Sequence, residues 1–257
     1  MELMRLENFK ISSTSSTIVE IDNMKVTRGK ILGIVGRSGS GKTMTFKGAT
    51  GLILERGLDI SGNIYWQGKK KKVSHMRKLL GKNISYVMQN PMTSFNQVHT
   101  IGYHCYETLR YNLNLDKKES RELICKWFSR FALLDQDRIL TSYPYQLSGG
   151  MLQRVMLSIA MALGSDMIIA DEPTTALDNV SQKEIVESFI EANRSYGVTI
   201  VFISHDFPLI SQIAHEIGVI IDGQLVEIGK SKDILTRPEN IKTIKMLKGL
   251  IDNDKHF

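Results

Sequence analysis

The segment Gly36-Arg37-Ser38-Gly39-Ser40-Gly41-Lys42-Thr43 constrains this chain more than any other, because its spacing, G-x-x-x-x-G-K-[ST], suits a backbone that wraps an anion. Successive backbone N–H groups converge on phosphate oxygens, Lys42 reaches the terminal phosphates, and the Thr43 hydroxyl is placed to ligate Mg2+. The flanking pattern agrees. Ile31-Leu32-Gly33-Ile34-Val35 reads as a buried strand, the loop follows at once, and apolar spacing from Thr43 to Leu52 predicts a helix whose N-terminus faces the phosphates. Strand, loop and helix in that order predict an α/β fold that binds ATP or GTP.

Far downstream, the apolar run Met167-Ile168-Ile169-Ala170 ends in Asp171-Glu172. Many surface strands end in acidic residues, but after a phosphate loop the pair has a chemical use. One carboxylate serves the Mg2+ shell and its neighbour accepts a proton from attacking water, which makes Asp171 the metal carboxylate and Glu172 the candidate base. A second glycine-rich element, Leu147-Ser148-Gly149-Gly150-Met151, lies between. Ser148 suits an N-cap, the two glycines let a backbone approach an anion closely, and Met151 to Leu163 continues as a helix.

Across essentially its whole length the chain resembles the nucleotide-binding subunits of ATP-binding cassette transporters, through these elements and three more. Gln89, after the strand Ile84-Ser85-Tyr86-Val87-Met88, stands where the family has a glutamine that touches Mg2+ and senses the membrane partner. Ala176-Leu177-Asp178 is similar to the loop at the dimer interface, and His205 in Ile203-Ser204-His205-Asp206 to the histidine that contacts the terminal phosphate. The resemblance implies a cassette-type P-loop NTPase. Residues 1–89 and 147–235 would form a RecA-like core with an antiparallel β subdomain, 90–146 an inserted helical subdomain, and 236–257 a short tail. It implies catalytic roles for Glu172, His205 and Gln89, ATP held by Gly36 to Thr43, and Mg2+ held by Thr43, Gln89 and Asp171. Leu147 to Met151 would complete the ATP site of a partner subunit, with Asp178 at the dimer loop.

The same resemblance implies partners: two membrane permease subunits, a second and different ATP-binding subunit and, indirectly, an extracytoplasmic solute-binding protein. This chain would lie peripherally on the cytoplasmic face of the membrane. ATP would join the two ATP-binding halves and its loss release them, so an isolated chain is expected to hydrolyse slowly. Within the family the wording is closest to nickel and peptide importers: Met88-Gln89-Asn90-Pro91, Ser94-Phe95-Asn96, His99-Thr100 and Tyr143-Pro144. Phe95-Asn96-Gln97, Met151-Leu152-Gln153-Arg154 and the absence of cysteine after Cys125 lean toward nickel or a metallophore-bound metal; a peptide cargo is the alternative and an exporter the less favoured one. Only 57 residues separate Gln89 from Leu147, which disfavours the coiled-coil cassettes of DNA repair, and a single motif set disfavours the two-cassette proteins of translation.

Composition fits a peripheral subunit. With 257 residues, 42% hydrophobic and 23% charged, the chain supports a sizeable core, and neither a membrane span nor a secretory signal is expected. Cys105 and Cys125 form no paired pattern and read as packing residues. His99, His104 and Cys105 have nickel-compatible donors but no established spacing, and are read as structural. Lys69 to Lys72 reads as a solvated hairpin turn rather than a headgroup contact, and the scattered remaining charge, net +6, gives no reason to expect nucleic-acid binding. Leu123, Ile124, Trp127, Phe128, Phe131 and Leu134 predict a helix within 116–134, its aromatic stripe mostly core. Val198–Ile203 and Ile217–Ile221 read as strands, and Asp222-Gly223 as a tight turn into Leu225–Ile228; short helices are expected after them. Two departures from the family stand out. Ser12 and Ser13 fall where an aromatic residue usually stacks on adenine, with Phe9 available only in a shifted register and Ile11 or Ile18 offering apolar surface. Arg37 stands where this group often has Glu.

Overall fold

The structure, a computed structural model, describes residues 1–53, 57–175 and 177–253. The chain divides into two compact units, residues 1–78 with 201–257, and residues 79–200.

The first unit opens with the long strands β1 (Glu2–Ser12) and β2 (Thr17–Thr27), paired antiparallel. Met4 and Leu6 point into the core on even positions, yet Phe9 and Ile11 do so on odd ones. The switch occurs at Asn8, whose φ of 48° makes a bulge in the pairing with β4. β3 (Ile31–Val35) is buried throughout, as expected of a strand in a parallel pair. α1 (Lys42–Thr50) follows the phosphate loop. β4 (Asp59–Trp66) and β5 (Lys69–Lys71) form a hairpin turning at Gln67-Gly68, both in the left-handed region. The lysine block is therefore an edge strand and not the turn itself; charged edges of this kind deter further strand pairing. α2 (Val73–Arg77) closes the segment.

The second unit pairs β6 (Ile84–Val87) in parallel with β7 (Met167–Asp171), in register from Ile84↔Met167 to Val87↔Ala170. Between them run α3 (Pro91–Ser94), α4 (Ile101–Leu113), α5 (Lys117–Arg130), α6 (Gln136–Thr141), a 3-10 turn (Pro144–Gln146) and α7 (Gly149–Ala162). α8 (Asn179–Tyr196) follows β7. The core joins Phe95, Ile101, Leu109, Ile124, Phe128, Leu152 and Val155; each such side chain contributes about 1.5–3 kcal/mol on burial. α5 starts at a capping box, Asp116 accepting from the Glu119 amide at 2.8 Å while Glu119 accepts from the Asp116 amide at 2.8 Å. It stops earlier than its apolar stripe predicts: Phe131 is buried, but Ala132 turns left-handed at φ 54° and Leu134 is 82% exposed. Cys105 is core, and burial pushes its thiol pKa up.

β8 (Thr199–Ser204) returns the chain to the first unit, where α9 (Phe207–Ile213), β9 (Glu216–Ile221), β10 (Gln224–Lys230), α10 (Ser231–Thr236) and α11 (Ile241–Asn253) complete it. In that unit the strand order is β5-β4-β1-β2-β10-β9-β3. Asp222 (φ 51°) and Gly223 (φ 78°) make the expected tight turn between β9 and β10.

Candidate functional site

The phosphate loop sits at the end of β3, whose parallel pairing Val35↔Val219 brings the β9–β10 turn beside it. Gly36 has no room for a side chain: a Cβ there would lie 2.0 Å from the Ile220 carbonyl oxygen. The Ser40 amide bonds back to the Arg37 carbonyl at 3.1 Å, and the Gly223 amide donates to the Ser40 carbonyl at 3.0 Å, so the loop is braced from within and from the neighbouring turn. Lys42 is 5% exposed, and its Nζ donates to the carbonyls of Gly36 at 2.9 Å and Arg37 at 3.0 Å. A buried ammonium is folded over the loop at the start of α1, where amides and helix dipole favour an anion. The Ser40 hydroxyl is buried without a hydrogen-bond partner, and Arg37, Ser38 and Gly39 are exposed. A phosphate group fits this cradle on the observed donors.

A cavity of about 400 Å3 opens on the outer side of the loop, lined by Arg37, Ser38, Asp222, Lys242 and Lys245 among others. The two α11 lysines had no sequence signal, since nothing in their spacing ties them to a loop two hundred residues earlier. Phe9 does lie past a register shift, but the shift drives it into the core, as it does Ile11. Ser12 and Ser13 lead into the polar β1–β2 turn, and the half-buried Ile18 begins the stretch that abuts the loop: a Cβ on Gly41 would lie 3.1 Å from Val19 Cγ2. His205, also in this unit, is exposed between Ser204, whose Oγ accepts from the Asp206 amide at 3.0 Å, and Asp206, which caps α9 by accepting from the Leu209 amide at 2.9 Å.

In the second unit, β7 ends at Asp171, which is 5% exposed. The Tyr86 hydroxyl donates to Asp171 Oδ2 at 3.0 Å, and burial first, then the Asp171 charge, pushes the Tyr86 pKa up. Glu172 follows at φ 49°, a left-handed backbone that a non-glycine residue adopts at a cost of about 1–3 kcal/mol. The Thr175 hydroxyl donates to Glu172 Oε2 at 2.6 Å, holding a carboxylate that is 9% exposed. Neither Tyr86 nor Thr175 was singled out from sequence; Tyr86 comes to Asp171 only through the β6–β7 register. Gln89 is exposed just beyond β6, after Met88 at 41% exposure.

Ser148 caps α7 as expected, accepting from the Met151 amide at 3.3 Å, although the helix already begins at Gly149. A Cβ on Gly150 would lie 2.9 Å from Ser181 Cβ, so the glycine permits a close crossing of α7 and α8. Leu147 is buried and Met151 half-buried. Asp178 caps α8, accepting from the Val180 and Ser181 amides at 3.0 Å each and from Ser181 Oγ at 2.8 Å; the Ser181 bonds hold its carboxyl below the usual range. Ala176 lies outside the described residues. His99 stacks on Tyr103 at 4.0 Å, and His104 bonds the Asn96 carbonyl at 3.0 Å. Among the described residues no helix is long and apolar enough to cross a membrane.

The family model of ABC transporters matches residues 19–175. The chain belongs to the ATP-binding cassette family. The metal-staphylopine import system ATP-binding protein CntD of Staphylococcus aureus is 38% identical over 264 residues, covering 100% of this chain and 97% of that protein. The oligopeptide transport ATP-binding protein AmiE of Streptococcus pneumoniae is 32% identical, covering 94% of this chain and 69% of that protein. Among solved structures, the dimeric post-hydrolysis state of the ATP-binding cassette MJ0796 bound to ADP and Pi superposes with a TM-score of 0.76, covering 89% of this chain and 99% of that one. At 23% identity that likeness is one of fold. The cassette thus has the α/β P-loop ATPase fold of its family, with an anion cradle on one unit and a carboxylate pair on the other.

Proposed function

We propose that this cassette subunit energises import of a transition metal, nickel or a related ion carried as a small-molecule chelate, through a membrane permease. The observation that carries this reading is the 38% identity to the metal-staphylopine import subunit across nearly the whole of both chains. The oligopeptide subunit is less similar and a smaller share of it is covered, so di- or oligopeptide import is the second reading.

In the proposed site the backbone of Gly36 to Thr43 and the Lys42 ammonium bind the ATP phosphates, and His205 contacts the terminal one. Thr43, Gln89 and Asp171 hold Mg2+, which neutralises phosphate charge when bound. Glu172 accepts the proton of attacking water, a role its Thr175 contact and fixed backbone support. Leu147 to Met151 serve the ATP of a second, different cassette subunit, with Asp178 at the pairing loop. Two permease subunits and an extracytoplasmic binding protein complete the assembly, and the chain works at the cytoplasmic face of the membrane. Residues 90–146 form its helical subdomain, between core segments 1–89 and 147–235 and ahead of a tail at 236–257.

The test is uptake of nickel, cobalt and labelled peptide in cells lacking this subunit, against cells rescued with wild type or Glu172→Gln. Metal accumulation lost and restored by wild type alone is the expected result; unchanged metal with lost peptide uptake replaces it with the peptide reading.

A further inference from the structure

Gln153 is fully buried on α7, one turn after the glycines that open the helix. Its Nε2 donates to the Met88 carbonyl at 3.0 Å and to the Gln89 carbonyl at 3.4 Å. Its Oε1 is buried and has no hydrogen-bond partner. Leaving half of a buried amide unsatisfied is destabilising, a cost that Met or Leu of similar volume would not carry. The adjacent Leu152 and Val155 do fill the core in that way. What Gln153 adds is a grip on two carbonyls that lie past the end of the β6–β7 pairing, which stops at Val87↔Ala170.

The other end of the same stretch of helix is fixed as well. Arg154, 12% exposed in its side chain, bonds the Gly150 carbonyl through Nε at 3.4 Å and pairs with Glu184 of α8 at 3.1 Å. Gly150 in turn lies against Ser181, which the Asp178 carboxylate holds. One rigid turn of helix therefore connects the backbone at Gln89 to the Ser148–Gly150 element and onward to the start of α8.

We propose that Gln153 is a positioning residue that couples the segment at Gln89 to the glycine-rich element Leu147–Met151: displacement of the Met88-Gln89 backbone is carried through its amide to the N-terminal turn of α7. This rests on the roles proposed above for Gln89 and for Leu147 to Met151. Rigid elements with discrete contacts at both ends carry coupling of this kind, typically worth a factor of about 5–150.

The experiment uses the assembled transporter with Gln153→Met, which keeps the volume and removes the donor, and with Gln153→Glu. Turnover number, KM for ATP, metal transported per ATP hydrolysed and amide exchange over residues 88–96 are measured together. The methionine variant is expected to lower kcat about fivefold or more with KM changed less than twofold, to transport less metal per ATP, and to speed exchange over 88–96. Gln153→Glu is expected to acquire a pH dependence absent from wild type, with turnover recovering as pH falls, because the introduced carboxyl donates to a carbonyl only when protonated. A methionine variant that melts at lower temperature yet keeps wild-type kcat and coupling ratio would show Gln153 to be packing alone, as would a Gln153→Glu profile parallel to wild type. Absence of ATP turnover in the wild-type complex would instead remove the ATPase reading beneath both.

Discussion

At the scale of single residues the site is built from side chains spent on holding other groups. Lys42 Nζ donates to two loop carbonyls, so Lys42→Ala removes a loop brace together with the cation proposed to bind phosphate. It is expected to weaken ATP binding about tenfold or more and to lower stability by about 1.5–3 kcal/mol, as loss of a charged hydrogen-bond donor does; equilibrium nucleotide titration and thermal unfolding read the two. Tyr86 donates to Asp171, and Tyr86→Phe is expected to cost about 1–3 kcal/mol. The pH dependence has a definite sign. Because the native state raises the Tyr86 pKa, the unfolded chain releases this proton first, and stability falls as pH rises above about 10. Denaturation midpoints between pH 8 and 11 should show that fall in wild type and a shallower one in the phenylalanine variant. The motif residues were legible because each needs a fixed neighbour in sequence. Tyr86, Thr175 and Gln153 were not, since their partners are set by strand register, a left-handed turn and a helix packing that spacing does not encode.

Among the elements, the sequence pattern located β3, β6 to β10, α1, α5 and α7 to within a few residues, did not locate α2, α4, α6, α8 or α9 individually, and failed elsewhere for local reasons. A bulge at Asn8 changes the phase of β1, so no single alternation describes the strand and the fate of Phe9 could not be read. Leu134 continues the α5 stripe in sequence, but the left-handed Ala132 ends the helix first. Lys69 to Lys72 read as a hairpin turn because Gly68 supplies turn chemistry beside a run of charge; the left-handed pair Gln67-Gly68 takes the turn and leaves Lys69–Lys71 on the edge strand. The crossing of α7 and α8 gives an element-level prediction. Gly150→Ala places a methyl against Ser181 and is expected to lower stability by about 1–3 kcal/mol through overpacking, measured by thermal unfolding, with Ser181→Gly relieving part of the loss.

For the whole molecule, the cradle and His205 belong to one compact unit, and Asp171, Glu172, Gln89 and the glycine-rich element Leu147–Met151 to the other. Cargo was the least legible property, for a physical reason: residues that bind ATP carry no chemistry that recognises a metal or a peptide. The partner requirement is testable at this scale. Turnover by the isolated chain is expected to be less than about a tenth of that in the assembled complex, as follows from a coupling factor of tenfold or more, and ATPase assays across the assembly steps measure it. In the proposed mechanism ATP is hydrolysed with Glu172 as the base. ATP binding and steady-state turnover of the assembled complex carrying Glu172→Gln test it most directly. ATP is expected to bind within about twofold of wild type while turnover falls about a hundredfold or more. Turnover at the wild-type rate would contradict it.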